Sequence, residues 1–126
     1  LTERLSSSSA AIRYGAAYVL KNVPQRTAFD ALKGSALNDS NENVRICCLH
    51  ALLALALGDA NLRPSVAELC VSSIRHKSHG VRHAGYECLA HLGGTGHEAV
   101  LKAASRDANA MIAKSAAGWL EEYLGR

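Results

Sequence analysis

The sequence predicts an all-α protein built from a repeated pair of helices. Three observations predict it: one aliphatic pattern recurs four times, short polar turns separate the apolar stretches, and no alternating Val/Ile/Thr-rich run indicates a strand. Aromatic residues make up only 5% of the 126 residues, so Leu, Ala, Val and Ile must fill the core. Such small aliphatic side chains suit closely packed helices.

The clearest part of the repeat is a helix that begins near a β-branched anchor residue. The anchors are Ile12, Val44, Val81 and Ile112, at spacings of 32, 37 and 31 residues. Eight residues after each anchor stand Leu20, Leu52, Leu89 and Leu120, and eleven after it stand Val23, Leu55, Leu92 and Tyr123. Offsets of 0, 8 and 11 lie on one face of an α-helix, so we expect these residues to face a common core.

Another apolar helix precedes each of the last three anchors, at about residues 25–37, 64–75 and 97–105. The turns between the two helices of a pair contain Asn, Asp and Ser, whose oxygens cap the free N–H groups of a first helical turn. One pair cannot bury its apolar face alone, so the pairs are expected to stack around a shared core.

We therefore predict one domain over residues 1–126, with units at about 1–23, 24–57, 62–93 and 96–124. The first unit has only the tail of its first helix, and the chain starts without Met. We accordingly expect a segment of a longer protein, in which repeats of the same chain could flank this one.

A short motif marks the turn and the start of the second helix. It reads Asp39…Val44-Arg45…Ala51-Leu52 in unit two, and His76…Val81-Arg82 in unit three. The sequence resembles the HEAT-repeat family, particularly its short repeats of the phycobilin-lyase-like type. The resemblance implies an armadillo-like, right-handed α-solenoid of about four HEAT-like antiparallel helix pairs, the first pair incomplete. Units one and three depart from the pattern because they lack the turn Asp.

The arginine beside the anchor recurs as Arg13, Arg45 and Arg82. We interpret it as a stacked row that bonds turn Asp side chains and carbonyls between units. The alternative is an anion-binding row, because guanidinium groups also suit phosphate. Only Asp39 and Asp107 are available as turn carboxylates, so some of these arginines are expected to lack an acidic partner.

Two clusters of His and Cys contain residue types that can carry chemistry, and neither predicts an enzyme. His76, His79 and His83 are the best metal candidate, but no Cys, Asp or Glu stands at matching spacing, so we expect solvated turn histidines and no metal. The four cysteines, Cys47, Cys48, Cys70 and Cys88, lack zinc spacing and a nearby base, so we expect packed core thiols in a reducing, intracellular compartment. We predict no catalytic residue and no cofactor.

The second helices are expected to line the binding face of the stack. Residues at offsets two, five, six and nine from each anchor point away from the predicted core. The predicted partner-binding residues are Tyr14, Tyr18, Ile46, Leu49, His50, Leu53, His83, Tyr86 and Glu87. Amphipathic rings and uncovered aliphatics mark binding sites better than charges do. The alternative is that neighbouring helices cover these side chains and that they serve packing.

These features favour a non-catalytic protein-protein interaction scaffold with a protein partner. The net charge of +3 is spread along the chain, so nucleic-acid binding is a less favoured alternative, which would place phosphates on Arg13, Lys21, Arg45, Arg82 and Lys114. A chromophore-lyase-like subunit is the other alternative that the resemblance leaves open. No apolar run approaches the roughly 18 residues of a membrane span, and an intracellular, cytoplasmic location is expected.

Overall fold

A computed structural model describes residues 1–93 and 97–124 of the chain, and over these residues the protein contains helices and no strand. The all-α prediction is therefore confirmed. The helices are α1 (Ala10–Asn22), α2 (Phe29–Asn38), α3 (Glu42–Gly58), α4 (Arg63–Ser73), α5 (His79–Leu92), α6 (His97–Ala104) and α7 (Ala110–Trp119). Short 3-10 turns cover Thr2–Ser6, Arg26–Ala28 and Ala60–Leu62, and α7 continues into a π-helical turn, Leu120–Leu124.

The helices that contain the anchors all start in the same way. An N-cap side chain accepts a hydrogen bond from the anchor's own N–H in each of α1, α3, α5 and α7, and the caps are Ser9, Asn41, Ser78 and Asn109. The cap satisfies one of the four first-turn donors that have no partner within the helix. The predicted turn chemistry is thus confirmed: each second helix begins directly after its cap, and the anchor stands three residues after the cap.

Each second helix packs on two kinds of neighbour. It contacts the first helix of its own pair, as α2 contacts α3, α4 contacts α5 and α6 contacts α7. It also contacts the second helix of the adjoining unit, in the series α1–α3, α3–α5 and α5–α7. Because only residues 39–41 connect α2 to α3 while the two pack together, these two helices run in opposite directions.

The core follows the predicted leucine positions closely. Leu20, Leu52 and Leu89 are fully buried, and Leu120 is half-buried against a smaller cluster around α6 and α7. Val44, Val81 and Ile112 are fully buried anchors. The predicted unit boundary at residue 96 and the Tyr123 side chain lie outside the described residues.

The first unit departs from this pattern, and the expectation that its anchor lies in the core is wrong. Ile12 is 49% exposed and Val23 is 57% exposed. The physical reason is that α1 packs against α3 and the turn Thr2–Ser6, and no described helix lies on its other side. The same sequence position is therefore core in three helices and surface in one.

Close approach between α4 and α5 depends on one glycine. A methyl group built on Gly85 would lie 3.0 Å from the Cys70 carbonyl oxygen and 3.1 Å from Ser73 Cβ. The carbonyl belongs to a helix backbone, which cannot rotate away as a side chain can. Gly85 therefore sets how near the two helices of this pair can pack.

We predict that Gly85→Ala and Gly34→Ala change stability in opposite directions. Gly34 lies within α2 with no atom in the way of a methyl group, so Ala should raise the free energy of unfolding by roughly 0.5–1 kcal/mol through helix propensity. At Gly85 the overlap should outweigh that gain and lower the free energy of unfolding by about 1–3 kcal/mol. Urea denaturation of both variants measures the difference, and equal stabilisation would contradict the close packing.

No helix in the described part of the chain is long and apolar enough to cross a lipid bilayer.

Candidate functional site

A row of arginines runs along the capped ends of the second helices. Nε and Nη2 of Arg13 donate to the two carboxylate oxygens of Asp39, at 2.8 and 3.2 Å. Arg82 binds Asp107 in the same two-pronged way, with both distances 3.0 Å. In each pair the arginine belongs to one unit and the aspartate to the turn of the next. The predicted ion-pair row is confirmed for these two arginines.

Each aspartate of the row is held by more than its arginine. The backbone N–H of Asn109 donates to Asp107 Oδ1 at 2.8 Å, and that of Asn41 donates to Asp39 Oδ1 at 2.8 Å. The hydrogen bonds from Arg82 are the largest cause that lowers the pKa of Asp107 below its ordinary value. The ionised carboxylate therefore joins Arg82 of one unit to the turn of the next unit.

The middle arginine of the row has no carboxylate. Arg45 Nε is buried and makes no hydrogen bond. The turn residue that stands where Asp39 and Asp107 stand in their units is His76, whose Nδ1 accepts from the Ser78 N–H at 3.0 Å. Burial, followed by the charge of Arg45, lowers the pKa of His76. A neutral imidazole preserves the hydrogen bond of the turn but gives the Arg45 guanidinium no negatively charged partner. The sequence predicted such an arginine, because only two turn aspartates are available.

The predicted partner-binding face divides into covered and open residues. Leu49, Leu53 and Tyr86 are at most 9% exposed, so their assignment to an accessible binding surface is wrong. They lie between successive second helices: the Leu49 carbonyl oxygen, for example, is 3.9 Å from Cys88 Sγ of α5. For these three residues the packing alternative is confirmed.

The other predicted residues remain at or near the surface. Tyr14 and Tyr18 are 41% and 49% exposed, with ring centroids 6.2 Å apart, and the Lys21 ammonium lies 4.8 Å from the Tyr18 ring centre. Ile46, His50, His83 and Glu87 are half-buried. The open residues fall into two places, the tyrosines on α1 and the other four on α3 and α5.

A groove lies where α3, α5 and the start of α7 meet. Its volume is about 290 Å³, and its lining residues are Ile46, His50, His79, Gly80, His83, Ala84, Asn109, Met111 and Ile112. Three of these were predicted from the sequence as binding residues: Ile46, His50 and His83. We define this groove as the candidate functional site.

Met111 is the most exposed of the large hydrophobic residues of the groove, and sequence reasoning did not identify it. Its side chain is 71% exposed, the largest exposure among the large hydrophobic residues of the described chain. It directly precedes the buried anchor Ile112 on α7, so it points away from the core. An apolar residue at that offset, where units one to three carry Ala11, Asn43 and Gly80, was the signal that could have identified it.

One side-chain hydrogen bond and one ring contact join the helices around the groove. His50 Nε2 lies 2.9 Å from Glu87 Oε1, which joins α3 to α5. The hydrogen bond from His50 is the main cause that lowers the pKa of Glu87. The His83 ring lies 5.1 Å from the Trp119 ring, which joins α5 to α7. The lining side chains of the groove are thus positioned by contacts between units.

The histidines of the groove do not assemble a metal site. Among the described residues no three His, Cys, Asp or Glu side chains stand together as a cation site would need. His76 lies outside the groove, where its Nδ1 accepts a hydrogen bond from the Ser78 N–H, and the His83 ring packs on Trp119. The groove therefore combines apolar side chains with imidazole groups that can donate or accept hydrogen bonds.

The cysteines are buried thiols, as predicted. All four are free and at most 5% exposed. Burial raises the pKa of Cys48 to about 12 and is also the first cause that raises the pKa of Cys47. A thiol in such a state carries little of the thiolate that attacks substrates or binds metals.

Comparison of the sequence with protein-family models and with the curated proteins finds no match. The resemblance to HEAT repeats stays a prediction.

We predict that His76→Asp supplies the missing carboxylate of the row and stabilises the protein. An aspartate can still accept from the Ser78 N–H and can also bind Arg45, so the free energy of unfolding should rise by about 1 kcal/mol. The matched control is His76→Asn, which keeps the turn acceptor without the charge. Urea denaturation in Arg45 and Arg45→Met backgrounds forms a double-mutant cycle, and a coupling of zero would show that residue 76 does not reach Arg45.

We also predict that Arg82→Ala costs much more stability than Arg45→Ala. Removal of Arg82 leaves Asp107 partly buried without its partner and should lower the free energy of unfolding by about 2–3 kcal/mol. Arg45 makes no hydrogen bond through Nε, so its loss should cost under about 1 kcal/mol.

The contribution of the Arg82–Asp107 pair should also depend on pH. Because the folded-state pKa of Asp107 is lowered, its stabilisation is present above the unfolded pKa and is lost as pH falls through the lower folded value. Thermal denaturation from pH 7 down to acid should therefore bring the wild type and Arg82→Ala closer together. A gap that is constant across that range would argue against the ion pair.

Proposed function

We propose that the chain is a non-catalytic scaffold of HEAT-like repeats that binds a protein partner in the groove between α3, α5 and α7. The observation that carries the proposal is the pair of apolar side chains at the mouth of that groove. Met111 is 71% exposed, and Ile46 lies on the opposite wall, half-buried. An exposed thioether in a concave site favours contact with another apolar surface, since Met adapts its shape to its partner.

The proposed architecture is a right-handed solenoid of antiparallel helix pairs. It is supported by the recurring contact of each second helix with the second helix of the next unit, and by the four equivalent N-caps. In such a stack the second helices stand in a row and their outer residues form one extended surface. The groove is then one stretch of that surface, at the junction of the last three units.

The chemistry of the groove favours a peptide segment with an apolar anchor residue. Ile46 and Met111 would contact the anchor, while His50, His79 and His83 would hydrogen-bond to polar groups beside it. A volume of about 290 Å³ is enough for one or two side chains, so the rest of the partner would lie across the exposed rims of α3 and α5.

The state of the candidate reactive groups supports a role in binding. The pKa of Cys48 is raised to about 12 by burial, which opposes nucleophilic use of this thiol. The carboxylate of Asp107 has a lowered pKa and is held by Arg82 on both oxygens, so it is poorly suited to proton transfer near neutral pH.

The charges of the row make the nucleic-acid alternative less favourable. Arg13 and Arg82 each bind an aspartate with two hydrogen bonds, so phosphate would have to displace a carboxylate. Lys21 lies over the ring of Tyr18. Among the five basic residues named for phosphate contact, only Arg45 and Lys114 have no aspartate or ring partner in the described part of the chain. Two such residues are few for a phosphate-binding surface.

We predict that Met111→Glu abolishes partner binding and leaves the fold intact. The side chain is mostly in water, so a carboxylate there should change the melting temperature by less than about 2 °C, yet it would be desolvated against an apolar partner. Quantitative affinity purification of the tagged protein should show at least one partner that the wild type retains and that Met111→Glu loses.

The matched control is Leu57→Glu, which introduces the same charge on α3 at a residue that is 49% exposed and does not line the groove. This variant should keep the partner. If both variants bind equally, or both lose the partner, the groove is not the binding site. Salt-sensitive binding of the purified protein to a nucleic acid would instead favour the alternative function.

A further inference from the structure

The guanidinium group of Arg45 has no hydrogen-bond or ion-pair partner among the residues that the structure describes. Nε is the one nitrogen of this group that is fully buried, so Nη1 and Nη2 face solvent. A buried N–H without a partner is rare in folded proteins and indicates a place for a water molecule or an ion. Arg45 therefore combines an unused buried donor with terminal donors that a ligand can reach.

The equivalent arginines show which chemistry satisfies such a group. Arg13 binds both carboxylate oxygens of Asp39 at 2.8 and 3.2 Å, and Arg82 binds those of Asp107 at 3.0 Å each. The two aspartate side chains are only 5% and 7% exposed. Arg45 stands at the same offset from its anchor, so a carboxylate is the partner that this position takes in the other units.

The described part of the chain does not supply a carboxylate to Arg45. His76 stands where the turn aspartates stand, and its Nδ1 accepts the Ser78 N–H at 3.0 Å. Glu42 precedes Arg45 by three residues, but its Oε2 accepts a hydrogen bond from Ser78 Oγ at 2.9 Å and forms no ion pair with the guanidinium. The turn hydrogen bond is thus present while the charge that would bind Arg45 is missing.

Positive charge predominates around this turn. Burial is the first cause that lowers the pKa of His76, and the charges of Arg45, Lys77 and Arg82 lower it further, whereas Glu42 opposes them. One of the three cations, Arg82, is compensated by the aspartate that it binds. Arg45 and the exposed Lys77 remain, and their field favours an anion that approaches from solvent.

We infer that Arg45 is a binding site for a carboxylate group from outside the chain, which takes the role that the turn aspartate has beside Arg13 and Arg82. A carboxylate suits the site because its two oxygens match the paired N–H groups of a guanidinium. A free small carboxylic acid and an acidic side chain of another protein present this same group.

The site is a single position and is separate from the groove. Arg13 and Arg82 are occupied by their own aspartates, so an external anion would have to displace a carboxylate there. Arg45 does not line the groove, although the next residue, Ile46, does. The inference therefore goes beyond the proposed function and does not depend on it.

The test titrates the ¹⁵N-labelled protein with sodium formate while sodium chloride keeps the ionic strength constant. The Arg45 Nε–H resonance, assigned by its loss in Arg45→Met, should shift saturably, and the Nε–H resonances of Arg13 and Arg82 should stay in place. The melting temperature should rise by roughly 2–5 °C as formate approaches ten times its Kd, and Arg45→Met should abolish this rise.

Two variants of the turn form a matched pair. His76→Asp supplies an internal carboxylate and should abolish the response to formate, whereas His76→Asn provides a turn acceptor without the charge and should keep the response. A glutamate oligopeptide, compared with formate at equal carboxylate concentration, distinguishes the source of the ligand. Severalfold tighter binding of the oligopeptide would assign the site to an acidic protein segment, and equal binding would assign it to a free small acid.

Other outcomes overturn the inference. Absence of a saturable shift would show that water satisfies the buried donor, and an equal response to chloride alone would show that the site does not select a carboxylate. A response that survives in Arg45→Met or in His76→Asp would place the anion elsewhere. Met111→Glu should leave the formate response unchanged, so failure of the groove as a binding site and failure of this site are distinguishable.

Discussion

Packing of each second helix against the second helix of the preceding unit is the contact on which the other features depend. It brings α1, α3, α5 and α7 into one row, and it buries Leu49 and Tyr86 between them. A single helix pair could not bury both its inner face and this side, so stability is shared between units. The ion-pair row and the groove lie along this contact between second helices. One side of α1 is exposed because no described helix makes the same contact there.

The ion-pair row adds charged contacts to the apolar packing between units. Arg13 and Arg82 each reach from one unit to the turn aspartate of the next, and the turn fixes the carboxylate through its own backbone N–H. A charged pair at this depth is favourable only because both oxygens are satisfied. At His76 the turn keeps its hydrogen bond without the charge. The junction between units two and three is held by apolar packing, by the His50–Glu87 contact and by the hydrogen bond that Ser78 Oγ donates to Glu42.

The groove lies between units, where α3, α5 and α7 meet, and it results from the packing of these helices. Ile46 and His50 of α3 and His83 of α5 line this space between the two helices. Offsets five and nine lie deeper and are filled, as Leu49 and Leu53 are. Ile46 and Leu49 lie three residues apart, or about 60° around the helix, so a small change of angular position separates a groove residue from a packing residue.

The amino-acid sequence by itself determined the all-α class, the N-caps and the leucine core positions, because these depend on spacing along one helix or across one turn. The repeat predicted a row of arginines bound to turn aspartates, but each pair forms only because two units pack together. Only the tertiary structure decided which outer residues are covered: Leu49 and Ile46 look alike in sequence, and Ile12 looks like Val44. Burial depends on the neighbour that packs against a face, and periodicity within a helix carries no information on whether that neighbour is present. The exposure of Ile12 could therefore be established only in three dimensions.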